Sequence, residues 1–391
     1  MKQRIIKIVN YYKGIRGIIM VIKDIQIRGF TVFKEIEINF CEGINIILGG
    51  NGTGKTQLLK FMCALYETAN EKFSRLKSFL QKYPITDINT TLEVERLRFF
   101  LECFSYNRMS SFVRFDIQES MELPPGWMLL EDSPFMSLKI KDDIIHTISY
   151  EIVANQENPN KKIGKTIDKL TNSHNNKSVF IPAKEILTHA NLEHLGEIYG
   201  TNFPFDSTYL HIIKLARNLR LKDTPDIARN ILNGLESIMQ GRVDVMADGS
   251  FVIDKNDGKK IHFSMEADGY KKFGLLWQLL MNGSINKNTV LFWDEPENSI
   301  NPEHIPVLID ILLELQRNGL QIFISTHNYN IMNYINVRRE RSDKIKYICL
   351  KKVDDYTICE TADNYEHLNH NPIVEGELKM YDDAIRKGLM L

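Results

Sequence analysis

A mostly parallel α/β sheet wrapped by helices follows from three observations. Short, almost wholly apolar runs recur, INIIL at Ile44–Leu48, VLFW at Val290–Trp293 and IFIS at Ile322–Ser325, as strands buried on both faces require. Segments of helical periodicity alternate with them, which is the order of a parallel sheet covered by helices. The first run passes through a glycine-rich turn straight into such a helix, with Leu58, Leu59, Phe61, Met62 and Leu65 on one period.

In chain order, residues 1–19 carry Lys2, Arg4, Lys7, Lys13 and Arg16 and no acid. They read as an accessory extension or a start-codon artefact, in preference to a basic arm for nucleic acid or a partner. Two strands are expected at Ile22–Ile27 and Lys34–Phe40, followed by the strand and helix around the glycine turn. Residues 20–69 thus form the first part of a lobe. Residues 70–262 change character and are expected to be a compact insertion of helices and antiparallel strands. Helical patterns fall at 71–82 and 92–104, an alternating run SFVRFDI at 111–117, and turns at PPG and NPNKK. Within it VFIPAKEIL, Val179–Leu187, returns to the sheet, helices cover Ser207–Asn218 and Thr224–Met239, and ADG and KNDG punctuate a hairpin between Val243 and Phe263. Residues 263–391 complete the lobe. They give a helix from Gly269 to Met281, an acidic strand, and an amphipathic helix after Pro302 closed by Gly319. The strand LQIFISTHN, a helix near Tyr329–Tyr334, strands at Ile345–Leu350 and Tyr356–Thr361, and a terminal helix from Ile373 follow.

The glycine turn is the strongest chemical signal. Gly49, Gly50, Asn51, Gly52, Thr53, Gly54, Lys55 and Thr56 fit G-x-x-x-x-G-K-[ST] at every fixed position, between a strand and a helix. Glycines let backbone N–H groups converge on phosphate oxygens at a helix N-terminus, and Lys55 adds a point charge. Thr56 is the expected Mg²⁺ ligand, with Gln57 next to it in the same segment. Far along the chain, TVLFWDEPENSINP ends a strand with Asp294 and Glu295. The first acid is placed to help hold Mg²⁺ and the second to polarise the attacking water of ATP hydrolysis.

The order of the P-loop, EADGYKK at Glu266–Lys272, the Asp294–Glu295 strand and STHN resembles the ATP-binding-cassette branch of P-loop ATPases, and within it the SMC-like and OLD-like enzymes. The resemblance covers roughly residues 20–67 and 263–328. It implies an ABC-type lobe in which Asn51–Thr56 bind the phosphates of ATP and Thr56 and Asp294 hold Mg²⁺. It further implies that Glu295 is the general base, that His327 contacts the γ-phosphate, and that Ser299–Pro302 touches a second subunit. Asp268 and Gly269 stand where the family's LSGGQ-like signature caps the γ-phosphate across a dimer. Only the second glycine of that signature survives and its serine is missing; the Gly269 N–H and the start of its helix would meet the phosphate, and Lys271 or Lys272 would add charge. Phe30, Thr31 and Phe33 lie where relatives touch the adenine, or form a packed turn. The segment VFIPAKE is where a substitute for the family's Mg²⁺-sensing glutamine is sought.

The stretch between Thr56 and Ala267 excludes the very long coiled coil of true SMC proteins, since half of it as one helix reaches only on the order of 150 Å. The phrases VFIPAKEIL, WDEPENSINP and IFISTHN look like stand-alone ATPases of bacterial anti-phage systems of the Septu, PARIS and retron-associated types. Those work beside a separate nuclease or toxin, and the chain after Asn328 is too short to add a nuclease domain of the OLD type. The implied partners are a second copy of the chain and a separate effector, with nucleic acid possible and no membrane.

A formal net charge of -1 advertises no global affinity for nucleic acid. The five cysteines show no metal-ligand rhythm and read as reduced thiols of a cytoplasmic protein. His367 and His370 read as a solvated loop. Two other functions stay open: a nucleotide-gated scaffold with little turnover that holds a toxin or nuclease, and a DNA-repair ATPase of the SMC-like type. A transporter subunit fits least.

Overall fold

The computed structural model describes residues 21–68, 137–142, 147–155, 158–166, 177–192 and 206–388. The expected extension at 1–19, the helices at 71–82 and 92–104, the run at 111–117 and PPG lie outside them, as does Cys103. Cys41, Cys63, Cys349 and Cys359 are free thiols.

The described chain opens with an antiparallel hairpin, β1 (Ile22–Phe30) and β2 (Phe33–Asn39), then β3 (Ile44–Gly49) and helix α1 (Lys55–Thr68). Strands β4 (Ser137–Asp142), β5 (Thr147–Asn155) and β6 (Asn158–Thr166) extend the hairpin into a five-stranded antiparallel sheet, ordered β2-β1-β4-β5-β6. NPNKK, expected as a turn, is the start of β6. Its Pro159 is tolerated because β6 is an edge strand whose register shifts at Ala154/Asn155.

Strand β7 (Lys177–Ile181) leads through a 3-10 turn at Leu187–Leu192 to helices α2 (Ser207–Ala216) and α3 (Arg229–Met239). The periodicity from Thr224 to Met239 is split, because a 3-10 turn at Asp226–Ala228, entered from Pro225, precedes α3. The expected hairpin is a three-stranded meander: β8 (Gly241–Val245), β9 (Phe251–Lys255) and β10 (Lys260–His262). ADG and KNDG are two separate turns, with Gly249 and Gly258 at φ 80° and 83°.

Helix α4 (Asp268–Met281), β11 (Thr289–Asp294), helix α5 (Ile305–Arg317), β12 (Gln321–Ser325) and helix α6 (Tyr329–Arg338) follow. The antiparallel pair β13 (Ile345–Val353) and β14 (Tyr356–Ala362) and the terminal helix α7 (Pro372–Arg386) complete the described chain. Gly319, at φ 93°, ends α5, its N–H donating to the Gln316 carbonyl at 2.8 Å.

The central sheet runs β14-β13-β3-β12-β11-β7, parallel except for β14. Alternate side chains on its strands enter two cores. Ile44, Ile46, Leu48, Leu291, Trp293, Ile322 and Ile324 pack with α3 to α6, whereas Ile47, Val290, Phe292, Phe323 and Phe180 pack with Leu58, Phe61 and Met62 of α1. The same second core includes Ile25, Ile27, Ile36 and Ile38, so α1 lies between the parallel and antiparallel sheets. Gln321, fully buried, ties the sheets by accepting from the Ile22 N–H and donating to the Ile22 and Cys41 carbonyls, each at 2.8 Å. Among the described residues no helix is long and apolar enough to cross a membrane.

Candidate functional site

The parallel strands β3, β12 and β11 are neighbours, so their carboxyl ends deliver Gly49, Ser325 and Asp294 side by side. The β7 register, Ile181 opposite Trp293, brings the following Pro182 and Ala183 to the level of Asp294. Sequence-distant residues meet here because the strands are parallel and end together.

The turn after β3 needs its glycines for two different reasons. Gly49, Gly52 and Gly54 adopt φ of 146°, 75° and 93°, where side chains are strained. A Cβ at Gly49 would lie 2.4 Å from the Leu350 carbonyl oxygen, and one at Gly54 would lie 2.7 Å from the Phe33 ring and from Val32. Gly50 and Gly52 instead face open space, with nothing within 4 Å of an added Cβ. The Thr53 hydroxyl donates to the Gly50 carbonyl at 2.9 Å, and Asn51 is exposed. Phe33 is fully buried beneath Gly54, so of the two readings of that turn the packed one describes Phe33.

Lys55 is buried and its Nζ donates to the Gly49 and Gly50 carbonyls at 2.8 and 2.9 Å. Burial lowers its pKa to about 8, against the opposing pull of Glu295 and Asp294. The Thr56 hydroxyl reaches both oxygens of Asp294, at 3.1 and 2.8 Å, and the Ser325 hydroxyl donates to Asp294 Oδ1 from behind. Gln57 follows, half-buried, its Oε1 enclosed without a hydrogen-bond partner.

Glu295 sits at φ 46°, a left-handed conformation costing a non-glycine residue about 1–3 kcal/mol. Its N–H donates to the Ser325 carbonyl and hydroxyl, both at 3.1 Å. Its Oε1 lies 3.0 Å from His327 Nε2. Burial, then the Lys55 charge, lowers the His327 pKa, so the neutral imidazole holds its proton on Nε2 and donates to Glu295. Asn328 caps α6 by accepting from the Asn330 N–H at 2.8 Å, which fixes the chain just after His327.

Four further residues shape the site: Ser325, Glu297 and Tyr209, to which the sequence reading gave no role, and Lys272, which it read as a charge for phosphate. Ser325 is the last residue of β12. Glu297, the third acid of DEPE, accepts from the Thr326 hydroxyl at 2.5 Å and the His327 N–H at 3.3 Å, and burial raises its pKa. Lys272, almost wholly buried, donates to the Glu295 carbonyl at 3.0 Å; burial lowers its pKa to about 8. The Tyr209 phenol is pushed up to about 12, first by burial and then by the charges of Asp206 and Asp294. A charged string in a sequence shows where acids occur but not which of them are enclosed.

Asp268 and Gly269, by contrast, engage their own surroundings. Asp268 accepts from Lys271 Nζ at 2.9 Å, and a Cβ on Gly269 would lie 2.8 Å from the Ser299 carbonyl oxygen. The N-cap of α4 is Ala267, with no side-chain hydrogen bond. In VFIPAKE, Glu185 accepts from the Thr188 N–H at 3.1 Å and from its hydroxyl, capping the turn that follows.

A strand-glycine turn-helix cradle with its lysine turned inward, facing a hydroxyl-carboxylate pair at the end of a parallel strand, defines a nucleotide-binding P-loop protein of the α/β class. The chain belongs to the P-loop ATPase family described as "AAA domain, putative AbiEii toxin, Type IV TA system", whose model matches residues 44–333. It is 23% identical over 380 residues to a Helicobacter pylori protein named ATP/GTP phosphatase, covering 90% of this chain and 98% of that one. Among solved structures, the SMC head domain from Thermotoga maritima is similar at 11% identity and TM-score 0.44, covering 88% of this chain and 99% of that one. An Smc head domain with an extended coiled coil, bound to the C-terminal domain of ScpA derived from Pyrococcus furiosus, is similar at 11% identity and TM-score 0.49, covering 94% and 100%.

Proposed function

We propose that this chain is an ABC-type ATPase that hydrolyses ATP with Glu295 as general base, in composite sites formed between two copies. We read it as the sensor or regulatory subunit of an anti-phage defence complex whose nuclease or toxin is a separate protein, as in the Septu, PARIS and retron-associated systems. The observation that carries the chemistry is the convergence of Thr56 with Asp294 and of Glu295 with His327 at the mouth of the P-loop. The name of the Helicobacter pylori relative supports nucleoside triphosphate hydrolysis, and the family's description supports a toxin-linked setting.

The residues present fit Mg-ATP. Gly50 and Gly52 face open space in which phosphates can approach the backbone, and Thr56 and Asp294 offer the oxygen donors that Mg²⁺ requires. When bound, the metal supplies charge neutralisation at the phosphates. The Glu295 carboxylate, oriented by His327, takes the proton of the attacking water. The Lys55 ammonium, released from the Gly49 and Gly50 carbonyls, binds phosphoryl oxygen.

Steady-state phosphate release by the purified chain, with ATP and GTP compared, tests this reading. Glu295→Gln should lower kcat on the order of 10²–10⁴-fold and leave nucleotide bound. Wild-type turnover by that variant overturns the assignment. Purification with ATP and Mg²⁺ tests the assembly: a nuclease or toxin at fixed stoichiometry supports the defence complex, whereas a bare dimer on DNA favours a repair ATPase.

The head of α4 favours a second reading, a nucleotide-gated scaffold. Its cap position, Ala267, offers no hydroxyl, and the exposed carboxylate of Asp268 opposes an incoming phosphate. Tight ATP binding with almost no phosphate release would select it.

A further inference from the structure

The first turn of α4 grips the loop after β11 at two points. Lys272 Nζ donates to the Glu295 carbonyl at 3.0 Å, and Gly269 is pressed against the Ser299 carbonyl, 2.8 Å from where a Cβ would be. Both gripped residues are left-handed non-glycines, Glu295 at φ 46° and Ser299 at φ 65°. Such a loop persists only where its surroundings over-determine it. The Glu295 peptide is held from both sides: Ser325 takes its N–H, while its carbonyl accepts from Lys272 and from the Asn298 N–H at 3.0 Å.

The neighbouring lysines do different things. Lys271 folds back to Asp268, three residues earlier on the same helix. Lys272 leaves the helix for the Glu295 carbonyl, and the charges of Glu297, Glu295, Asp294 and Asp268 favour its ammonium against burial. Burying an ammonium in this way is costly when an apolar side chain of similar volume could fill the space. The cost is intelligible if the ammonium fixes the direction of one peptide.

We propose that Lys272 is a positioning residue for the reaction at Glu295, acting through the Glu295 carbonyl, so that the placement of the first turn of α4 is transmitted to the carboxylate that meets His327. This rests on the assignment of Glu295 as the general base. Anything that shifts the head of α4 then moves Glu295 without touching the P-loop.

The test uses the full chain and the variants Lys272→Met, Lys272→Arg and, as a control, Lys259→Met, at an exposed lysine between β9 and β10 that pairs with Asp257 at 2.8 Å. Three quantities are read: kcat from phosphate release, the Kd for Mg-ATP by calorimetry, and deuterium uptake by peptides covering 295–300 and 49–56. Displacing a catalytic group by about 1 Å costs on the order of 100-fold in rate, so Lys272→Met should lose roughly 10- to 100-fold in kcat. Its Kd should stay within about threefold, and exchange should quicken over 295–300 but not over 49–56. Lys272→Arg should recover most of the rate, and Lys259→Met should resemble the wild type. Unchanged kcat and exchange in Lys272→Met overturn the proposal. So does a parallel loss of Kd, exchange protection at both segments and melting temperature, which marks a general structural role. If the wild type itself releases no phosphate, the hydrolysis reading fails by itself, and the exchange pattern still decides whether Lys272 holds the Glu295 loop.

Discussion

The P-loop and the head of α4 both present a helix N-terminus after a turn, yet they are built in opposite ways. The P-loop turns backbone outward: Gly50 and Gly52 face open space, and Lys55 is parked on the loop's own carbonyls. The head of α4 engages its neighbours instead, Gly269 against Ser299 and Lys272 on Glu295, while the exposed Asp268 pairs with Lys271. A phosphate cradle depends on what a segment leaves free, whereas a clamp depends on what it engages. The family resemblance assigns both segments to phosphate, and within one chain they are built differently.

The largest expected effect breaks the cradle's charge. Lys55→Ala should weaken Mg-ATP binding on the order of 100-fold, as loss of a hydrogen-bonded charge partner does, and equilibrium titration measures it. Retained affinity would mean that the backbone cradle alone suffices.

Next comes the cradle's shape. Gly49→Ala combines a left-handed strain with a Cβ 2.4 Å from the Leu350 carbonyl, and should cost roughly 2–4 kcal/mol. At about 2–4 °C per kcal/mol for a chain of this size, the melting temperature should fall by several degrees. The matching change at Gly50, which meets nothing, should leave it within about a degree.

Binding should also depend on pH. The buried Lys55 titrates at about 8 in the free protein, and bound phosphate favours its charged form. Below about pH 8 the ammonium is present in both states and affinity is flat. Above it the free protein must take up a proton to bind, so Kd should rise by up to about tenfold per pH unit, and calorimetry in buffers of different ionisation enthalpy should register the proton.

The smallest effect sharpens the other half of the comparison. Ala267→Ser supplies α4 with the cap oxygen it lacks, worth about 0.5–2 kcal/mol to a helix end. The melting temperature should rise by a degree or more, with kcat changed less than threefold if the head of α4 acts mainly as a clamp.

Much of this was readable in the sequence because it rests on local rules. The glycine spacing of 49–54 is imposed by backbone conformation, and a short apolar run ending in Asp294 and Glu295 is a buried strand whatever surrounds it. Periodicity likewise located α1, α4 and α5. It failed where local pattern is ambiguous. NPNKK carries turn residues but lies on an edge strand, and Thr224–Met239 keeps one apolar period across the break between a 3-10 turn and α3.

What the sequence determined by itself was the chemistry on offer: a glycine cradle, a lysine, a threonine, two carboxylates and a histidine, each at the end of its own apolar run. What only the tertiary structure decided was which of these meet and which residues hold them. Parallel strands β3, β12 and β11 bring their ends together across hundreds of residues, and no local rule encodes that proximity. Lys272 and Glu297 show the same division. In the sequence Glu297 is one more acid and Lys272 a charge that the resemblance aims at phosphate, and only enclosure, which removes water as a competitor for their hydrogen bonds, sets them against Glu295 and His327.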